Sequence, residues 1–264
     1  MTGARWPVLV LAALVAAAIA APIVAPYAPD QLDLAHRREG PSREHWFGTD
    51  ELGRDVLARV LYGARVSLAV GLLSAAVAGA SGTAIGGIAG YAGGSLDNIL
   101  MRATDAMLAV PRLPLLMIAA AVFQPSVPQL VLLIGLASWM ETARVARAEL
   151  LSLRTRDFVG AARALGAGHA RLIVAHLLPN AAPAVIVSMT LAVGRSILLE
   201  SAVSFFGVGV QPPSASWGNM LYQAQSALAT EPWLALFPGL FIFATTLSVN
   251  LAGERLATAA QRHQ

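Results

Sequence analysis

The sequence predicts an all-α polytopic membrane protein with six transmembrane helices, and three observations carry that prediction. Hydrophobic residues make up 56% of the 264 residues and charged residues only 12%, with a mean hydropathy of +0.64. Soluble domains carry about 25% charged residues, and a soluble fold has no way to bury this much apolar surface. Charge-free intervals, each near the ~20 residues that a helix needs to cross a bilayer, recur along the chain. The arginines between these intervals are unevenly distributed, as expected of loops on two sides of a membrane.

Trp6 to Pro29 is the first charge-free interval. Ala18-Ile19-Ala20, with Arg5 ahead of it, has the A-x-A form of a signal-peptidase site. The apolar run continues through Ile23, Val24 and Tyr27, which favours a retained helix. Val66 to Leu96 is the second span, and its many Gly and Ala residues let its backbone approach neighbouring helices closely. Leu113 to Met140 is long for one helix, and Gln124-Pro125-Ser126-Val127-Pro128-Gln129 interrupts it with two prolines and two amides, a tight turn. The third helix therefore begins near Thr104 and includes Asp105 and Arg112, and the fourth runs from about Val127 to Arg144. Asn180 to Leu199 is the fifth span. A partly apolar external segment with Gln211-Pro212-Pro213 and Trp217-Gly218-Asn219 follows, and the sixth is Pro232 to Gly253, bounded by Glu231 and Glu254.

Arginine counting orients the chain. With both termini cytoplasmic, the inner set is Arg5, Arg102, Arg112, Arg144, Arg147, Arg154, Arg156, Arg163, Arg171, Arg255 and Arg262. The outer set is Arg37, Arg38, Arg43, Arg54, Arg59 and Arg65, and Arg195 falls inside the membrane. Arg112, Arg195, Glu200 and Asp105 are the candidate pathway or intramembrane charges. A charge within a span costs roughly 2.5 to 3.5 kcal/mol on insertion scales, so each faces protein or water. Arg195 and Glu200, five residues apart, are poorly placed for a direct helical pair.

Composition also excludes several functions. All 18 basic residues are Arg, and a Walker A loop needs a lysine against the nucleotide phosphates, so no intact one exists here. Zero Cys removes disulfides and thiolate metal sites. His169 and His176 would lie roughly 10 Å apart along a continuous helix, too far to chelate a metal. The pI near 9.9 invites a nucleic-acid reading, but the arginines are dispersed among apolar spans without a basic helix, so no nucleic-acid partner is expected.

The stretch from Asp157 to Asn180 is too regular for a connector. Phe158, Ala161, Ala162 and Leu165 recur at helical spacing as one apolar stripe. Gly166 breaks that helix, and Arg171, Leu172 and Leu178 start a second short one. Such a helix-turn-helix under the membrane presents a knob to a groove in a partner; an ordinary interfacial amphipathic loop is the plainer alternative. Gly160-Ala161-Ala162, three residues, Gly166, nine residues, His176, one residue and Leu178-Pro179 resembles the coupling loop of ABC importer permeases.

The resemblance extends further. His45-Trp46-Phe47-Gly48-Thr49-Asp50-Glu51-Leu52-Gly53-Arg54-Asp55 and Tyr62-Gly63-Ala64-Arg65-Val66-Ser67-Leu68 are similar to the segment before the second span of the dipeptide, oligopeptide and nickel importer permeases, and more narrowly of their C-type subunit. Leu96-Asp97, Met101-Arg102, Asp105, the run Glu200 to Pro213, Ser216-Trp217-Gly218-Asn219-Met220-Leu221 and Phe237-Pro238-Gly239-Leu240 resemble the same family. The resemblance implies a type I (MetI-like) permease fold. Residues 1–65 would hold the first helix and an external segment, and residues 66–264 the permease core with its coupling loop at about 152–178. It implies a non-catalytic subunit in the bacterial inner membrane that binds no cofactor itself. ATP and Mg would be bound by one or two cytoplasmic ATPases, with a second permease and an external binding protein completing the importer. The coupling residues would be Asp157, Phe158, Gly160, Ala161, Ala162, Leu165, Gly166, Leu178 and Pro179. Gly160 stands where the family has Glu, and Asp157, one turn earlier, is its candidate substitute.

Two other function classes stay in view. Gly79-Ala80-Ser81-Gly82 matches the nucleophile motif of rhomboid intramembrane proteases, but His36, His45, His169, His176 and His263 all fall in loops or the tail, away from Ser81. A stand-alone secondary transporter would need no docking loop.

Overall fold

The computed structural model describes residues 6–261, so Arg5, Arg262 and His263 lie outside the described residues. The chain is all-helical. Its elements are α1 (Trp6–Val24), a 3-10 turn (Leu34–His36), α2 (Val56–Ala92), α3 (Gly94–Ala109), α4 (Arg112–Phe123), α5 (Val127–Leu136), α6 (Trp139–Leu153), α7 (Asp157–Ala164), α8 (His169–Arg171), α9 (Leu178–Phe205), α10 (Trp217–Ala224) and α11 (Trp233–Gln261). A π-helical turn over Leu172–Leu177 joins α8 to α9. Thr49 and Asp55 form an isolated β-bridge.

Among the described residues, four helices are long and apolar enough to cross a membrane: α1, α2, the continuous run His169–Phe205, and α11. α3 and α4 form a bent pair at 79°, which makes a fifth if taken as one broken span. The expected third helix is thus two helices, with Asp105 in α3 and Arg112 in α4. The cause is Pro111: it has no N–H and forces Val110 extended (φ −77°, ψ 125°), which ends α3. The expected fourth helix is also divided, α5 stopping at Leu136 and α6 beginning at Trp139. The turn between α4 and α5 falls where expected. Gln124 closes α4 at φ 43°, and the Gln129 side chain accepts the Ser126 N–H at 2.9 Å to cap α5. α2 starts at Val56, ten residues before the expected second span, and so runs through position 65.

α2 is the axis of the bundle. One face meets α5 and α6 in a constant register: Ser74 Oγ donates to the Val131 carbonyl, 57 residues along the chain. At that same offset Gly82, Gly86 and Gly90 face the backbone of Trp139, Ala143 and Arg147. A constant offset means parallel helices, so the chain reverses twice between Ala92 and Val127. Absent side chains make this contact close: a Cβ on Gly86 would sit 2.0 Å from the Ala143 carbonyl oxygen. α9 runs antiparallel to α2, with Ser67 beside Glu200 and Gly79 beside Met189. α11 runs antiparallel to α9, with Gly194 against Asn250 and Gly253 against Leu191. The ends of α2, α6 and α11 and the start of α8 therefore share one end of the bundle.

The opposite end is capped by residues 25–55 and α10. Asp55 caps α2, accepting the Ala58 N–H at 2.7 Å, and its other oxygen meets His45 Nδ1 at 2.9 Å. Asp50 pairs with Arg54 at 2.6 Å. Arg54 and Arg59 both donate to Gln223 Oε1 of α10 at 3.2 Å. Phe47 stacks on Phe237 of α11 at 3.8 Å between ring centroids.

Packing at Gly86 yields a paired test. Gly86→Val is expected to cost about 3 kcal/mol or more by overpacking, seen as a lower unfolding midpoint and yield in detergent. Gly87→Ala, whose Cβ would meet Leu150 at an ordinary 3.7 Å, is expected to behave as wild type. Equal behaviour of the two variants would refute the close α2–α6 contact.

Candidate functional site

The loop between α6 and α9 is built on α7. Asp157 lies in its first turn, where the helix dipole favours a negative charge. Val159 is fully buried and packs with Leu150, Leu172, Leu177 and Ala181, and Ala162 packs beside it. Phe158 and Leu165 point outward, 39% and 89% exposed, and Gly160 and Ala161 are on the outer side as well. The expected stripe therefore splits. Phe158, Ala161 and Leu165 form the outer face, whereas Ala162 faces the loop's own cluster because it lies one turn from Val159 on the inner side.

Gly166 breaks the helix as expected, at φ 84°. Gly166 N–H donates to the Arg163 carbonyl at 2.9 Å and Ala167 N–H to the Ala162 carbonyl at 3.0 Å, the paired closure of a Schellman turn. The segment beyond Gly166 does not form a separate short helix. α8 continues through Leu172–Leu177 into α9 as one 37-residue run, with Leu178 and Pro179 where the π-helical turn passes into α9. Two anchors left no signal in the sequence. Arg154 Nη1 donates to the Gly90 and Tyr91 carbonyls at 3.3 Å, covering the open end of α2, and the Tyr91 hydroxyl hydrogen-bonds His169 Nδ1. The loop is thereby tied to α2.

Among the described residues, four arginines on α4, α6 and α9 find carboxylates. Arg147 takes Asp97 with two hydrogen bonds, the Nη2 contact at 2.6 Å, and Arg144 reaches Asp105 at 2.5 Å. Arg112 pairs with Glu141, and Arg195 lies 3.5 Å from that same carboxylate. Arg195 thus pairs with Glu141 of α6 and not with Glu200. A contact between residues so far apart in the chain leaves no local spacing signal, which is why Glu141 was missed.

Glu200 is fully buried. It accepts Ser204 Oγ at 2.8 Å and Ser67 Oγ at 3.0 Å, and Ser67 Oγ in turn accepts the Trp217 N–H at 3.2 Å. Glu200 is therefore sealed from any path in this conformation and clamps α2, α9 and α10 together. Ser81 Oγ donates to the Val77 carbonyl of its own helix at 2.7 Å, and among the described residues no histidine hydrogen-bonds it. Among the described residues no group of His, Asp and Glu is placed to hold a metal ion.

A helical bundle with several apolar helices of membrane-spanning length and an amphipathic loop pinned at the end of its longest helix defines a polytopic membrane protein. Residues 82–262 match the family described as binding-protein-dependent transport system inner membrane component, and the chain belongs to that family. A protein of Brucella suis named as a putative peptide permease is 42% identical over 236 residues, 89% of this chain and 78% of its own length. The dipeptide transport system permease protein DppC of Alkalihalophilus pseudofirmus is 40% identical over 225 residues, 85% of this chain and 74% of its own. The glutathione transport system permease protein GsiD of Escherichia coli O6:K15:H31 is 37% identical over 260 residues, 98% of this chain and 84% of its own. The chain is an ABC importer permease of the peptide family, a non-catalytic membrane subunit.

The turn and the clamp are separately testable. Gly166→Val is expected to cost about 1–2 kcal/mol, because a β-branched residue resists the left-handed region, whereas Gly166→Asn is expected to lose less; limited proteolysis of the loop in membranes distinguishes them. Glu200→Leu strands the Ser67 and Ser204 hydroxyls in the core, at about 1–3 kcal/mol. Glu200→Gln keeps an acceptor and is expected to unfold nearer to wild type in a detergent melt; the reverse order would rule out the clamp.

Proposed function

We propose that the exposed face of α7 is the surface through which a cytoplasmic ATPase drives this permease. The observation that carries the reading is the split of α7: Phe158, Ala161 and Leu165 face outward while Val159 and Ala162 anchor the helix to the core. An apolar face this exposed in a loop this firmly anchored fits a docking knob. Asp157 and the open space around a Gly160 side chain leave room for a charged contact with the partner. ATP and Mg belong to that ATPase. The permease core is residues 66–264, with 1–65 as first helix, external segment and the first ten residues of α2.

Six spans complete the reading: α1, α2, α3–α4 as the return crossing, α5–α6, α8–α9 and α11. Parallel α2 and α5–α6 support it, because two parallel crossings require a return between them. With the α7 end of the bundle cytoplasmic, both termini are inside. The chain pairs with a second homologous permease to enclose the path, and an open apolar groove of about 550 Å³ lined by Ala80, Thr83, Ala84, Ile173 and Met189 supports such a neighbour. The external cap of residues 25–55 and α10 meets the binding protein, and the names of the relatives support a peptide-class solute.

Two measurements test this. Ala161→Trp is expected to abolish co-purification of the ATPase and to lower substrate-stimulated ATP turnover at least tenfold, with membrane insertion intact. Gly160→Glu is expected to keep or raise assembly. Normal transport by Ala161→Trp would sink the coupling assignment. Because the chain has no native Cys, single cysteines label without background, and a cysteine at Ser126 is expected to react only from outside.

A further inference from the structure

Within the spans, one carboxylate serves two arginines. Arg112, at the start of α4, and Arg195, in the middle of α9, converge on a single carboxylate, Glu141 of α6. Two guanidinium groups share one anion, so the cluster carries an excess positive charge. Arg112 has the close contact. Arg195 has only the 3.5 Å approach of Nη1, has no other side-chain partner among the described residues, and remains 43% exposed at its side chain. The neighbouring ion pairs differ: Arg147 with Asp97 and Arg144 with Asp105 are one to one.

An exposed, half-compensated guanidinium in a membrane span is costly against lipid and is retained where it faces water or protein. The face of α9 next to Arg195 is already occupied, since Gly194 packs on Asn250 of α11. The guanidinium lies between α9 and α6 beside Glu141, and both side chains remain partly exposed there. A guanidinium with unused N–H donors matches a carboxylate, which it binds by paired hydrogen bonds that no amide reproduces.

From this we infer that Arg195 takes the carboxylate of the passing solute inside the translocation path, with Glu141 holding the guanidinium in place between transits. The inference rests on the permease reading above and deepens it: the solute class is one bearing a free carboxylate. Arg195 is then a specificity-determining residue of the permease itself, acting after delivery by the binding protein. Glu141 is its positioning residue.

The test uses the complete complex with its binding protein in proteoliposomes, with trialanine and its C-terminal amide as probes, each supplied at saturation of the binding protein. Arg195→Gln is expected to lower ATP-driven trialanine uptake about tenfold and leave uptake of the amide within about twofold of wild type. Glu141→Gln frees the guanidinium and is expected to raise the preference for trialanine over the amide. A second readout stands apart from transport: Arg195→Cys in the assembled complex is expected to react with a membrane-impermeant anionic thiol reagent, and saturating trialanine is expected to slow that reaction. Equal loss of both probes in Arg195→Gln would make the residue a structural ion pair and overturn the assignment. So would a cysteine at 195 that stays unreactive during turnover. If wild-type complex shows no ATP-driven uptake at all, the permease reading itself has failed, a result distinct from either.

Discussion

The close contact between α2 and the α5–α6 segment is the constraint on which the rest of the molecule depends. Gly82, Gly86 and Gly90 remove the side chains that would separate the helices, and the backbone of Trp139, Ala143 and Arg147 occupies the space. Nothing apolar is gained from water within a bilayer, so association rests on the number of atoms brought into contact, and small residues maximise it. Each contact recurs at the same chain offset, which fixes the direction of α5–α6 and forces the intervening chain to turn back. The bend at Pro111 and the turn at Gln124 satisfy that demand.

Polar groups then fix what dispersion leaves loose. Glu200, held by Ser67 and Ser204, decides how α9 meets α2, and Trp217 is placed through the same Ser67 hydroxyl. In hydrocarbon an unsatisfied polar group has no water to turn to, so each hydroxyl in such a cluster is held to its partner. At the α7 end of the bundle arginines act in the same way. Arg147 draws α3 onto α6, and Arg154 covers carbonyls at the end of α2.

How much of this was legible in the sequence depended on the range of the interaction. The helical class, the Gln124–Gln129 turn and the break at Gly166 were readable because each is set by apolar run length, by proline and amide chemistry, or by glycine's access to positive φ. The division of the third and fourth helices was harder. Pro111 was in plain view, yet a charge-free ruler ignores proline, and Ala137 and Ser138 carry no comparable signal. The partners of Arg112 and Arg195 were not readable, because Glu141 meets them only after three helices have folded together. In the Asp157–Asn180 loop, helical spacing identified the apolar residues but did not say which side faced the core; Val159, left out of the stripe, turned the helix so that Ala162 went inward.

The clamp of Arg154 on the last turn of α2 has a mechanical consequence. Helix α2 has 37 residues and is therefore about 55 Å long at 1.5 Å per residue. It joins the α7 loop directly to the cap at the opposite end of the bundle, where Asp55 and Arg59 bind it to residues 25–55 and α10. A rod of that length is a lever. A tilt of about 5° about its inner end carries its outer end sideways by about 5 Å, the width of one side chain. A rotation of α2 about its Arg154 end is thus amplified at the far surface, without any intermediate element having to change its fold.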